Sequence, residues 1–348
     1  MVTIRDVASR AGVSRSTVSL VLNKSVLVKE ETRQHVLAVI RDMGYVPNNN
    51  ARGLSGKTTN SLGVVIMADK PMNPKECTYG FDQSTGISAF SITNGIMAGL
   101  LETDYGVVTE RFCASQMSLD LPRIVKASRV DGVFLVGSPI QMQLIENMKK
   151  SGVPFVVAGV DQSAQDVDCV FADPGIGTVM EAEYLYQAGY QNICFVNGPK
   201  SFHSSYTRLT ALSAYIEREQ RPFNYEWVLY SKQNHGQAGY QVFKEFWEQG
   251  NRPDAILTAN GYMALGIMRY LYEKGVHVPE DIGIIAYDDS ALCGYAAPGL
   301  TSINIRKEMI GERAAQCLTA RIKNPGKPIE EISIEPYLVE RGSVRHQG

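Results

Sequence analysis

The residue pairs of this 348-residue chain that could do covalent chemistry fall short of doing it. Asp288-Asp289 follows an apolar run, a common setting for catalytic carboxylates. Neighbours on an extended segment, however, point to opposite sides and cannot flank a substrate as an acid/base pair. What remains to that pair is one aspartate facing a cleft as a hydroxyl acceptor. Gly175-Ile-Gly177 opens like a dinucleotide loop, but Met180 occupies the third glycine position. There is no GxxxxGK(S/T) phosphate loop, no GxSxG nucleophile elbow and no HExxH zinc helix. The five histidines (His35, His203, His235, His277, His346) lack metal spacing. Six cysteines (Cys77, Cys113, Cys169, Cys194, Cys293, Cys317) show no CxxC and read as free, buried thiols of a reducing cytosol. The expectation is no enzyme, no cofactor and no metal.

Recognition of a polyanion is a chemistry the chain supplies better. Residues 1–60 hold nine Lys/Arg against four acids, a balance of +5, and the remainder holds 25 against 32, a balance of −7. The total of −2 therefore hides a basic head on an acidic body. Within the head, Arg15, Ser16 and Ser19, with Leu20 next to them, would share the open face of one short helix. Ser and Thr suit phosphate contacts, and side chains at a helix start can reach base edges.

The elements that position these residues follow from spacing. Thr3 and Asp6 form a capping box, and Ile4, Val7, Ala8 and Ala11 recur at helical period up to Gly12. Ser14 caps a second helix whose apolar stripe is Val18, Val21 and Leu22. Two helices joined by a Gly-containing turn make a helix-turn-helix. A third helix is expected over Glu31–Met43, with Val36, Val39, Ile40 and Met43 inward. The segment Asn48–Gly56 is polar, too short to hold a helix alone in water, and carries one large apolar residue, Leu54. Leu54 beside Arg52 is either a staple against the next domain or a wedge between base steps of the minor groove.

The run Val2–Asn23, then Gly44-Tyr-Val-Pro-Asn48 and Ala51-Arg-Gly-Leu54, closely resembles the lactose-repressor (LacI/GalR) family of bacterial transcription regulators. The resemblance implies that the second helix reads operator bases and that Asn48–Ser55 is a hinge helix inserting Leu54 into the minor groove. The DNA-contacting candidates are then Thr3, Ser14, Arg15, Ser16, Thr17, Ser19, Leu20, Asn23, Asn48, Ala51, Arg52 and Leu54. Leu20 replaces the polar reader of some members, which would shift operator preference, and Lys29 stands where a Ser cap is usual.

From Ser61 short β-branched runs alternate with helical stretches. Strands are expected at Leu62–Ala68, Val107–Phe112, Gly132–Val136, Val153–Ala158, Cys169–Ala172, Ile193–Val196, Trp227–Tyr230, Ala255–Thr258, Ile282–Tyr287 and Thr301–Ile305, with Ile334–Val339 also strand-like. That alternation predicts parallel sheets flanked by helices, and the number of strands fits two lobes. Ligands of such sheets bind beyond the carboxyl ends of the strands. The expected organisation is a helix-turn-helix domain over 1–47, a hinge over 48–60 and a two-lobed α/β domain over 61–348.

The body also resembles the sensor half of the same family, which has a periplasmic-binding-protein-like (type I) fold. The matching stretches are Asp173 to Gly198-Pro199, Arg208, Ala259–Gly266 and Ile284–Asp289. The resemblance makes Arg208, Asn260 and Asp288 effector-binding candidates. Their donor fork, mixed amide and acceptor pair suit a sugar or nucleobase, and for each the alternative is a capping or lobe-stabilising role. Phe202, Tyr206, Tyr262 and Phe90 are candidate aromatic platforms, each equally able to be core. The chain departs from the pattern at Gly261 and Gly159, where or near where ligand-binding Asp is common, and at Ala211-Leu212. Residues 69–87, with Phe81, Asp82, Gln83, Ser84 and Thr85, read as an insertion near the cleft mouth.

No apolar run approaches the ~20 residues of a membrane helix, and the charged N-terminus is unlike a signal peptide. A cytoplasmic regulator is expected, a repressor acting as a homodimer on double-stranded operator DNA, answering to a sugar or related metabolite. With no Leu-heptad tail, a dimer is expected rather than a tetramer. The alternative is a cytoplasmic solute-binding or carbohydrate-processing protein with an accessory DNA-binding head.

Overall fold

The computed structural model describes residues 2–22, 25–45, 58–68, 84–113 and 120–345. Asn23, Asn48, Ala51, Arg52, Leu54, Cys77, Phe81, Asp82 and Gln83 lie outside them. The chain divides into two units, Met1–Thr59 and Asn60–Gly348.

Among the described residues of the first unit, three helices form where the capping and apolar spacing direct: α1 (Ile4–Arg10), α2 (Arg15–Leu22) and α3 (Glu30–Asp42). The Thr3 backbone N–H and hydroxyl both donate to Asp6 Oδ2 at 2.8 Å, which holds the Asp6 carboxyl below its ordinary value. Gly12, at φ +63°, closes α1 in a conformation that costs glycine no Cβ clash. Ser14 Oγ then accepts the Thr17 N–H at 3.1 Å and starts α2. Val7, Ala8, Ala11, Val18, Val21 and Val36 form the core, with Val39, Ile40 and Met43 packed against it.

The second unit has two six-stranded sheets. Sheet one contains β1 (Ser61–Ala68), β2 (Gly106–Cys113), β3 (Gly132–Val136), β4 (Phe155–Ala158), β5 (Cys169–Phe171) and β11 (Glu331–Ser333), in the order β11-β5-β4-β3-β1-β2. All its pairings are parallel. Sheet two contains β6 (Ile193–Asn197), β7 (Val228–Tyr230), β8 (Ala255–Thr258), β9 (Gly283–Tyr287), β10 (Thr301–Asn304) and β12 (Tyr337–Val339), in the order β12-β10-β9-β8-β6-β7. Only β12 runs antiparallel to its neighbour among these. Strands such as β3 and β8 are apolar and buried at every residue because helices cover both sheet faces.

In lobe one, α4 (Ser84–Gly99) and α12 (Lys307–Lys323) bury Ile92, Ile96, Ala314 and Leu318 against Leu62, Val64, Phe134 and Val156. On the opposite face α5 (Arg123–Lys126) and α6 (Met142–Ser151) bury Ile124, Ile145 and Met148 against Val65, Val133 and Leu135. Lobe two is built the same way. Its sheet is covered on one face by α7 (Pro174–Gln187) and α8 (His203–Glu219), and on the other by α9 (Gly236–Glu248), α10 (Gly261–Glu273) and α11 (Ala291–Tyr295). Gly95 and Gly311 let α4 and α12 cross closely, since a Cβ on either would overlap the other helix's backbone.

Among the described residues the chain passes between lobes three times, at 172–173, 305–306 and 334–336. Three expectations are thereby corrected. Ile334–Val339 is not one strand: residues 334–336 are spent crossing, leaving β11 and β12 in different sheets. Trp227 belongs to a 3-10 turn, Tyr225–Trp227, ahead of β7. The stretch read as an insertion up to residue 87 already enters α4 at Ser84, so Ser84 and Thr85 are helical. Of the six cysteines, Cys113, Cys169, Cys194, Cys293 and Cys317 are buried, and burial pushes the Cys169 thiol up to about 11 and that of Cys317 to about 12.

Candidate functional site

A cavity of about 310 Å³ lies between the lobes. It sits beyond the carboxyl ends of the strands: Gly137-Ser138-Pro139 follows β3, Gly159–Gln162 follows β4, Ala259-Asn260 follows β8 and Asp288 follows β9. Lobe one adds Ser88 and Ile92 of α4, and lobe two adds the first turns of α8 with His203, Thr207 and Arg208. Such a volume is at the small end of the range for metabolite sites. Among the described residues no group of His, Cys, Asp or Glu is arranged to hold a metal ion.

Arg208 is 8% exposed and its guanidinium carbon lies 4.4 Å from the centre of the Tyr287 ring. Its Nε has no hydrogen-bond partner. Gly177 of α7 makes room for that ring, because a Cβ there would overlap the Tyr287 edge. Glu181, one turn further along α7, is fully buried with neither carboxylate oxygen bonded. Burial, only partly offset by Arg208, pushes its carboxyl well above the ordinary range. Sequence reading did not single out Glu181. The signal was present as an acid in an otherwise core-facing stripe with Thr178, Ala182 and Leu185.

Asp288 follows β9 with φ 68°, a left-handed backbone that Asp tolerates better than most residues. Its side chain ties the lobes together. Ser88 Oγ of lobe one donates to Asp288 Oδ2 at 2.7 Å, and the Lys307 ammonium at the start of α12 donates to Oδ1 at 2.5 Å and to the Asp289 carbonyl at 2.6 Å. Asp289 turns the other way, accepting from Ser302 at 2.6 Å and Arg341 at 2.9 Å, as the opposed geometry of neighbouring carboxylates requires. Lys307 was also passed over in the sequence. It occupies the buried stripe of α12 with Ile310, Ala314 and Cys317, where an apolar residue is the norm. Asn260 lines the cavity and caps α10, its Oδ1 accepting the Met263 N–H at 2.9 Å.

The candidate aromatic platforms are placed differently. Phe202 lines the cavity, whereas Tyr206, Tyr262 and Phe90 do not. Tyr206 is 68% exposed and stacks on His203, because two residues before Arg208 is about 200° around the helix. Phe90 is 63% exposed, since Ala89, Ile92 and Ile96 take the inward face of α4. Tyr262 is half-buried in the first turn of α10.

In the N-terminal unit, α2 buries Val18 and Val21 and leaves Arg15 and Ser16 exposed, Ser19 partly so and Leu20 37% exposed. These four form one outward face. Thr3 is committed to capping α1, and Ser14 hydrogen-bonds Ser16 at 2.6 Å and Thr17 at 2.9 Å, pre-setting the hydroxyls at the start of α2.

Residues 3–48 match the bacterial regulatory proteins of the lacI family, and residues 182–344 match the periplasmic binding protein-like domain. The chain is 29% identical over 346 residues to the HTH-type transcriptional repressor PurR of Salmonella typhimurium, covering 99% of this chain and 97% of the relative. Its fold matches the Lac repressor dimer bound to operator and the anti-inducer ONPF with a TM-score of 0.79, at 25% identity and 98% coverage of each chain. It also matches the transcriptional regulator CelR in complex with cellobiose, with a TM-score of 0.71, 26% identity, and coverage of 99% of this chain and 100% of that one. The chain thus joins a LacI-family helix-turn-helix domain to a periplasmic-binding-protein-like domain and is homologous to PurR and the Lac repressor almost end to end.

Proposed function

We propose that this protein is a sequence-specific transcription regulator, a repressor that binds operator DNA as a homodimer and changes its affinity when a small molecule occupies the inter-lobe cavity. One observation carries the reading. The same chain presents Arg15, Ser16, Ser19 and Leu20 outward on a capped second helix and holds a metabolite-sized cavity at the strand ends of two sheets. A helix of this size reads too few bases alone, and two-fold pairing doubles the site. Names of the relatives support each element: a repressor, a dimer on an operator, and a cellobiose complex. The effector is accordingly a carbohydrate or related metabolite. No catalytic step is assigned to the protein, and the cytoplasm is its place of action.

In this reading Thr3, Ser14, Ser16 and Thr17 position the head on phosphates, Arg15, Ser19 and Leu20 face base edges, and Asn23 completes the contact. Asn48, Ala51, Arg52 and Leu54 form the minor-groove hinge. Arg208, Asn260 and Asp288 bind the effector, whose closure of the lobes biases the hinge only if it binds the two states with different affinity. Selection of binding sites from a random duplex pool with the full-length protein tests this. A pseudo-palindromic consensus is expected. Enrichment of nothing, or of a site without two-fold symmetry, contradicts it.

A further inference from the structure

Resting on the effector reading above, we infer that the ligand of the cavity carries an anionic group, a carboxylate or a phosphate, seated between the Arg208 guanidinium and the N-terminus of α8. The first support is an unmatched charge. Arg208 is more than nine-tenths buried, forms no ion pair with a described carboxylate and has an unpartnered Nε, although buried charges are normally neutralised. The nearby acid cannot balance it, because Glu181 is wholly buried and neither of its oxygens accepts a hydrogen bond. Burial with no hydrogen bond to replace lost hydration disfavours the charged form of such a carboxylate and raises its pKa. The other acids are spent. Asp288 is matched by Lys307, and Asp173 caps α7 through the Gly175 N–H at 2.7 Å. Asp161 stands on the lobe-one wall after β4, where its Oδ1 takes the Ser163 N–H at 2.9 Å.

The second support is the start of α8 itself. This 17-residue helix begins at His203, and its N-cap Phe202 has no side chain able to accept the first-turn N–H groups. Ser201, Phe202, His203 and Ser204 line the same cavity as Arg208. The neighbouring helices that reach the cavity, α7 and α10, are capped by Asp173 and Asn260. An uncapped helix start with its partial positive charge and a forked cation in one cavity favour an oxyanion. Asn234, whose buried Oδ1 is also unpartnered, is left to take a hydroxyl of the rest of the ligand.

The test uses the full-length protein and begins with inorganic phosphate against chloride at constant ionic strength. Wild type is expected to gain at least 3 °C more in melting temperature than Arg208→Gln, which retains a polar side chain without the charge and corrects for the general stabilising effect of phosphate. Equal gains overturn the inference. Glu181→Gln keeps the shape of a protonated acid, so it should bind phosphate within twofold of wild type. A tenfold tighter affinity in that variant would identify Glu181 as an ionised counter-ion and overturn the inference even if Arg208→Gln fails to fold. Glucose, glucuronate and glucose 6-phosphate then form three arms. Responses that need Arg208 in the acid or the phosphate arm uphold the inference and name the source, and a response confined to neutral glucose overturns it. Loss of sequence-selective DNA binding in wild type would defeat the regulator reading while leaving these anion results standing.

Discussion

Replacing Lys307 with Met should cost this protein about 3 kcal/mol of stability, an effect that follows from what the lysine leaves behind. Its side chain is 7% exposed and that of Asp288 is 14% exposed, so the pair lies almost out of water. Removing one partner of a buried pair strands the other and typically costs ~3–5 kcal/mol. The lower end applies because Asp288 keeps the Ser88 hydroxyl at 2.7 Å, and Met fills most of the lysine's volume. That is roughly two orders of magnitude in the unfolding equilibrium. The double variant Lys307→Met/Asp288→Asn should lie within about 1 kcal/mol of wild type, since uncharged replacement of a buried pair is often neutral. Asn is the right partner change because it tolerates the φ of 68° at position 288. Burial lowers the Lys307 ammonium, but Asp288 outweighs it and leaves the group above 10.5. The pair's contribution is therefore complete below that value and is lost only as pH rises through the higher folded value, so the cost should be flat between pH 6 and 9. Urea unfolding followed by the fluorescence of Trp227 and Trp247, both packed in lobe two, reads it directly. A single-variant loss under about 1 kcal/mol, or a double variant no better than the single, would refute the idea that this pair ties the lobes.

Three further outcomes are expected. Gly177→Ala, which forces the Tyr287 ring off its position over Arg208, should abolish the effector response while operator binding in the absence of effector stays within twofold, measured by fluorescence anisotropy. Arg15→Ala should weaken operator binding by about 1–3 kcal/mol and relax selectivity at the bases it faces, visible as a flattened consensus in repeated site selection. Leu54→Ala should reduce operator affinity far more than affinity for scrambled duplex in parallel gel shifts, and equal losses on both would show that Leu54 is no minor-groove wedge.

The strands that were legible in the sequence are those whose burial is complete. Gly132–Val136 and Ala255–Thr258 fall where their apolar runs end, because helices cover both faces and leave no polar alternation to blur the boundary. Glu331–Ser333 was invisible for the converse reason. Its outer residues are exposed at a sheet edge, and only the returning chain makes it a strand. Arg208, Asn260 and Asp288, which the family resemblance made candidates, all line the cavity beyond the strand ends. Among the aromatic candidates Phe202 lines the cavity, whereas helical phase turns Tyr206 away: once Arg208 faces inward, Tyr206 must face out. Lys307 and Glu181 required a different question, namely why a charged residue stands in a core stripe. Lys307 has its answer in Asp288, whereas Glu181 lies buried with neither carboxylate oxygen bonded.

Control by the body over a head that reads a DNA sequence is a quantitative property. It is tested most directly by the dissociation constants of the full-length protein for its selected site and for a scrambled duplex of equal length, compared at ~150 mM salt where phosphate contacts alone bind weakly. A ratio of about 10³ or more is expected, lowered or raised at least tenfold by a ligand that also raises the melting temperature of the protein. A ratio near one, with or without that ligand, would contradict it.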